Sequence, residues 1–472
     1  MSAQTAGSVT DAAASSQVTD RLARFASALE WEAVPEKVRE LMPVLLIDVM
    51  RAGTVGFDKP WTRAVLDLYA GHSGAASASV LFSATRLDPA RAAFVNGVAC
   101  GSLDWDDAHV AAILHPGIVV WPAALAVAQT VGASGRQLLT AVVAGYEVAI
   151  RVGRSVQPEH SLRGFQGTPA CGVFGAAAAA ARLLELDAER TRDALGIAAT
   201  FACGLAQFFI SGSDIKRLHA GKAAANGVEA ALLAHAGLSG PRDAIEGAQG
   251  FARAFSDRFD PAAALQGLGK EFPTLGISLK PHAGSVRTQA AIEAAGVLAC
   301  AGATPESVRS MEVGVHGAMM GKLTGNAPDD AQQAQVSTPF AAAMAIALAA
   351  GRGAAFALST DDYEGCIADA RIRSLAARTT CVVDSQVEAE TTRESVPGRV
   401  TCVLTDGTVR EHFVRHPKGC PQNPLTTDEV AARFTALAAR RFAPADISRW
   451  LSSARASTSL ATVGPLLALR AN

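Results

Sequence analysis

The sequence predicts a mainly α protein, a large all-helical domain with an inserted, smaller α+β domain, and three observations support this. Of the 472 residues, 49% are apolar but only 6% are aromatic, with alanine prominent, and small side chains let helices approach closely. From Val18 to about Leu268, apolar residues recur at helical spacing without competing alternation. After Gly276, the alternation of half-buried strands appears. A chain of this length exceeds what one core usually fills, so two domains are expected.

Taken in order, residues 1–17 are rich in Ala, Ser and Thr, with neither a basic start nor an apolar core. They are expected to form a disordered leader, not a signal peptide. The helical domain is expected over 18–277. Val34-Pro-Glu-Lys-Val begins a helix with Leu41, Leu45, Leu46 and Val49 on one face. Pro89 opens another, since an initial proline sacrifices no hydrogen bond, and Pro122 is expected to open a helix over 123–131. Gly132 ends that helix and Ser134 caps the next, over 137–152. Asp187, Gly237 and Gly240 punctuate later helices in the same way.

The α+β domain is expected over 278–414. Met311-Glu-Val-Gly-Val-His alternates, Cys381-Val-Val is β-branched, and Thr405-Asp-Gly-Thr408 joins two alternating runs as a hairpin. Helices are expected between them, at 285–300 and 338–348. Residues 415–472 return to helix, with Thr426 or Thr427 as cap and Asp428-Glu429 in the first turn.

A net charge of −2 with interspersed signs gives no polyanion signature, so nucleic acid is not an expected partner. The apolar runs 170–181 and 340–351 fall short of the roughly 20 residues that cross a bilayer, so no membrane is expected. Eight scattered cysteines without a C-x-x-C pair suit reduced thiols in a cytoplasmic protein.

Chemistry concentrates in Gly101-Ser-Leu-Asp-Trp-Asp-Asp-Ala-His-Val-Ala-Ala-Ile-Leu-His115-Pro. Asp104, Asp106, Asp107, His109 and His115 put three carboxylates and two imidazoles within twelve residues of an otherwise apolar chain. Such groups are costly to bury and rarely cluster without a use. A hydrogen-bonded cluster at a helix end is the plainer alternative. A metal shell would need further ligands that no H-x-x-x-H or second acidic cluster supplies, so none is expected. His115 is the best candidate to carry a proton near neutral pH.

Lys216-Arg-Leu-His219-Ala-Gly-Lys222, if helical, places Lys216, His219 and Lys222 on one cationic face between apolar flanks. Such a run is commonly a solvated face, but cations lining a cleft would hold carboxylates and stabilise charge as a proton leaves carbon. Lys280-Pro-His-Ala-Gly-Ser-Val-Arg287 marks the domain junction, where substrate pockets are frequent and solvated linkers equally so. Neither G-x-G-x-x-G after a strand nor a Walker pattern occurs, which argues against nucleotide binding.

Together these segments, with Arg163-Gly-Phe, Gly172-Val-Phe-Gly175, Val336-Ser-Thr-Pro-Phe340 and His416-Pro-Lys-Gly, resemble the MmgE/PrpD family over nearly the whole length. That family includes 2-methylcitrate dehydratase, cis-aconitate decarboxylase and iminodisuccinate epimerase. The resemblance implies a helical domain with a lid domain, a homodimer, and no metal or organic cofactor. It places the catalytic aspartate and histidine of the decarboxylase-like members on Asp104 and His115, and their two lysines on Lys216 and Lys280. Three positions depart: Ala108 replaces a threonine, Gln166 a histidine and Met320 a tyrosine. An amide at Gln166 cannot exchange a proton near neutral pH, so that role must lie elsewhere.

The expectation is a cofactor-independent lyase of the dehydratase type acting on a small di- or tricarboxylic acid. His115, oriented by Asp104, would move the proton, with His109 a second acid. Lys216, Lys280, Arg163 or Arg287 would hold carboxylates. An epimerase, a cis-aconitate-type decarboxylase and a non-catalytic carboxylate-binding homologue are the alternatives.

Overall fold

The computed structural model describes residues 17–70, 76–211, 213–353 and 356–470, so the expected leader, Gln17 apart, lies outside the described residues. The chain divides into two units. The first comprises the chain up to Ser102, then Asp106–Leu275, then the segment from Thr426 onward; the second comprises Leu103–Trp105 and Gly276–Leu425. The small segment Leu103–Trp105 joins the second unit although it lies far from it in sequence.

The first unit is helical. Its principal helices are α1 (Val18–Ala28), α2 (Glu36–Gly56), α3 (Pro60–Ala70), α4 (Pro89–Gly101), α5 (Gly117–Val131), α6 (Gly135–Val156), α7 (Gly167–Leu183), α8 (Ala188–Thr200) and α9 (Ile215–His235). Polar caps start several of them, although Asp214 before α9 makes no cap bond with its side chain. Asp88 accepts from Arg91 N, Asp187 from Arg190 N, and Ser134 forms a capping box with Gln137. Pro122 does not open its helix. It sits inside α5, which begins at Gly117, so the Ile118 carbonyl receives no bond from residue 122. A two-residue strand pair, Ala78–Ser79 with Arg86–Leu87, interrupts the helices where none was expected.

Alanine and glycine set the packing. A Cβ on Gly145 of α6 would lie 2.7 Å from the Gly175 carbonyl of α7, and one on Gly175 2.5 Å from the Gly145 carbonyl. The two backbones touch there, as close packing of small residues allows. Between α6 and the 264–274 segment lies the ion pair Glu147–Arg151, with both side chains fully buried. Arg151 also donates to the carbonyls of Ala264, Gln266, Gly267 and Glu271. Glu147 in turn accepts from the backbone and hydroxyl of Thr274.

The second unit holds a four-stranded sheet built from β1 (Val308–Val315), β2 (Thr379–Val383), β3 (Gly398–Leu404) and β4 (Val409–Val414) in the order β2-β1-β3-β4. β1 runs parallel to β2 and antiparallel to β3, and β3 pairs antiparallel with β4 through the Asp-Gly turn, where Gly407 has φ 88°. Alternate residues of β3, Val400, Cys402 and Leu404, are buried. The strand packs against α10 (Gln289–Cys300), which in turn packs against α11 (Thr338–Arg352). The chain then re-enters the first unit with α12 (Thr427–Ala438), capped by a Thr426–Glu429 box, and α13 (Pro444–Arg455).

Candidate active site

Three helix starts of the first unit meet in one place. A Cβ on Gly97 would lie 2.6 Å from the Gly221 Cα, so α4 and α9 touch backbone to backbone. Beside them, Gly101 leaves room for both Ala220 and Ile118, which brings the first turn of α5 close to the second turn of α9. The turn between α4 and α5 doubles back at Ile113, whose φ of 47° is unusual for a β-branched residue. It is pinned by His109 N to the Leu114 carbonyl at 2.9 Å and by His115 N to Thr168 Oγ1 of α7 at 3.1 Å. Helix N-termini present unpaired N–H groups and partial positive charge, an environment that suits anions.

His115 stands at this convergence, its side chain about a quarter exposed. Its Nδ1 lies 2.7 Å from the Asp107 carbonyl oxygen and 3.3 Å from Asp106 Oδ2. A carbonyl only accepts, so Nδ1 carries the hydrogen and the neutral ring keeps its lone pair on Nε2. Asp106 is buried and is placed to balance positive charge on that ring. Asp107 works from both ends. Its backbone holds His115, while its carboxylate accepts from Gly117 N at 2.9 Å and from the Tyr146 hydroxyl at 2.8 Å. Burial first, then the neighbouring Asp106 charge, push the Asp107 carboxyl up to about 8. Burial, then the nearby Asp107, likewise push the Tyr146 phenol well above its ordinary value.

A second imidazole lies on α9. His219 Nδ1 is 2.5 Å from Gln166 Oε1, an amide oxygen, so here too Nδ1 carries the hydrogen. Among the described residues nothing hydrogen-bonds Nε2. Burial, then the Lys216 charge one turn earlier, hold the His219 pKa below the usual histidine range, so the ring is neutral. Phe208 meets the ring edge-on at 5.7 Å. Gln166 precedes α7 and Thr168 lies in its first turn, so the histidines are tethered two residues apart on one helix end.

Other residues singled out by sequence lie elsewhere or do different work. His109 is buried, with Nδ1 accepting from Ala112 N at 3.1 Å. Burial and the Arg154 charge lower it to about 3, so it gives no proton at neutral pH and braces the turn instead. Arg163 pairs with Asp257 on the surface at 3.0 Å. Lys222 is exposed, its ammonium 5.9 Å from the Phe94 ring centre, while Lys216 is half-buried. A metal on His115 would have to use Nε2, because Nδ1 faces the carbonyl.

In the second unit, Asp104 occupies a left-handed backbone position, φ 50°, and is held from several sides. Lys280 Nζ, fully buried, lies 2.7 Å from Asp104 Oδ1 and 3.1 Å from its carbonyl. Gly284 N donates to that carbonyl, Gln335 to the Leu103 carbonyl, and the Trp105 indole to the Lys280 carbonyl. The carboxylate 3.3 Å from His115 Nδ1 belongs to Asp106, and the Asp104 carboxylate pairs with Lys280. Arg287 is half-buried, its pKa lowered by burial, and no described residue pairs with its guanidinium. Met320 is 41% exposed just after a short 3₁₀ turn. Sequence reading missed Tyr146 and Thr168, which carry no signal beyond an ordinary amphipathic helix.

Comparison with known proteins gives this arrangement its family. The MmgE/PrpD N-terminal domain matches residues 20–264 and the MmgE/PrpD C-terminal domain matches 282–456. The cis-aconitate decarboxylase-like protein oryM of Aspergillus oryzae is 29% identical over 490 aligned positions, covering 98% of each chain. Cis-aconitate decarboxylase of Aspergillus terreus is 30% identical over 58% of each chain. The human cis-aconitate decarboxylase is 31% identical over 52% of this chain and 51% of its own, so these matches span only about half of each relative. The chain belongs to the MmgE/PrpD family. No described helix is long and apolar enough to cross a membrane.

Proposed function

We propose that this protein is a lyase that acts without a cofactor on a small di- or tricarboxylic acid, moving a proton on the carbon next to a carboxylate. The observation that carries this reading is His115, with Nδ1 fixed by a carbonyl and a buried carboxylate where three helix N-termini gather. Lys216 and the helix ends would bind a carboxylate and take up charge as the carbon–hydrogen pair moves towards it. With a hydroxyl on the next carbon, that pair forms the double bond and water leaves.

Loss of carbon dioxide is the second reading, favoured by the names of the relatives, which are decarboxylases or decarboxylase-like. Incubation of the protein in deuterated water with a panel of di- and tricarboxylic acids, followed by NMR, separates the outcomes. Release of water or carbon dioxide supports a lyase and names its type. Solvent exchange without net product identifies an epimerase, and binding without any exchange or product ends the enzymatic reading.

A further inference from the structure

We infer that the two imidazoles of this site divide the work, His219 taking the carbon-bound proton and His115 giving one to the leaving group, with Gln166 the positioning residue that keeps His219 a base. The inference rests on the lyase reading above and adds the assignment of roles within it.

Both rings donate Nδ1–H to an oxygen, but the oxygens differ. His115 faces the Asp107 carbonyl and the buried Asp106 carboxylate, an anion placed to balance a ring that carries a second hydrogen on Nε2. His219 faces a neutral carboxamide at 2.5 Å and has the Lys216 cation one turn away, which favours an uncharged ring with a lone pair on Nε2. Environments that oppose one another in this way mark the acid and the base of a site. Gln166 is decisive because its oxygen accepts and cannot take up charge. It fixes the tautomer without stabilising an imidazolium, unlike the carboxylate at His115.

The step balances. His219 Nε2 accepts the proton from the carbon beside a carboxylate, and the carbon–hydrogen pair becomes the new carbon–carbon π bond. The carbon–oxygen bond breaks with its pair on oxygen, and the hydroxyl leaves as water with the hydrogen from His115 Nε2. His219 is then charged and His115 neutral, and one proton exchanged through solvent restores the start. Loss of carbon dioxide alone would need no such base.

Two measurements on the full-length protein test the assignment. The first needs no substrate: ¹⁵N spectra of histidine-labelled protein at pH 7 should show His219 neutral, with its hydrogen on Nδ1, and Gln166→Leu should lose that single tautomer. A charged His219, or a lone pair on its Nδ1, overturns the inference. The second uses the acid turned over in the panel above, in deuterated water. His219→Gln should abolish both carbon–hydrogen exchange and elimination. His115→Gln should lower elimination about 10²–10⁴-fold while exchange persists. Exchange that survives in His219→Gln, or vanishes in His115→Gln, overturns the assignment. If no acid reacts, the lyase reading fails, and the ¹⁵N spectra still decide the state of His219.

Discussion

Two groups of buried charge in the first unit are built on opposite terms. Around Glu147–Arg151, every charge meets an answering group: the guanidinium reaches one carboxylate and four carbonyls, and the carboxylate also accepts from Thr274. Along the turn before α5, acid sits beside acid. Asp106 and Asp107 are neighbours, both buried, and Asp107 is driven up to about 8 by burial and by that neighbour. A completely answered network holds helices in place. Two acids buried side by side repel one another next to a part-exposed imidazole, a setting of perturbed protonation that is common where protons are moved.

Exchanging parts of the two regions should produce effects of different kind and size. His115→Ala should lower turnover of the panel substrate by about 10²–10⁴-fold and leave the unfolding midpoint nearly unchanged. An unaltered rate would remove the imidazole from the chemistry. Arg151→Met should do the reverse, costing about 3–5 kcal/mol in denaturant unfolding because Glu147 is left buried and unanswered. Gln166→Glu should make the second imidazole resemble the first, raising the His219 pKa by about 1–3 units in an NMR titration. No shift would mean that the residue 166 side chain does not govern that ring.

Smaller effects should appear in the pH dependence of stability. The folded-state pKa of Asp107, about 8, lies above its value in the unfolded chain. Its contribution is therefore full below the ordinary carboxyl range and is lost as pH rises through about 8. Asp107→Asn, which can keep both partners, should flatten the thermal midpoint between pH 5 and 9. His109 has the opposite sign. Its pKa falls to about 3, so its contribution is present above the usual histidine value and is lost as pH falls towards 3. His109→Gln should reduce that acid slope by at most one proton, about 1.4 kcal/mol per pH unit.

Much of the fold was legible because its signals are local. Helix caps such as Asp88, Ser134 and Thr426 act within three residues, and the strands keep a period of two. The start of α5 was not legible for the same reason. Pro116 at its N-cap offers no side-chain bond, and Gly117 N is met by Asp107, ten residues earlier in sequence. Within the site, the acidic and histidine-bearing turn and the Lys216–His219 helix stood out as costly groups among apolar neighbours. Their pairings did not. The reversal at Ile113 that brings Asp106 to His115 runs through a residue type that gives no hint of a left-handed conformation. Asp104 and Lys280 are 176 residues apart, beyond any periodic pattern.

The contact of Gly97 with Gly221 works as a gauge between two helices. With main chain against main chain, not even a methyl group fits between them, so the separation of α4 and α9 at this point is set by the peptide skeleton. A side chain beside that contact, such as His219 two residues before Gly221, is therefore carried on a support whose position does not depend on which side chains surround it.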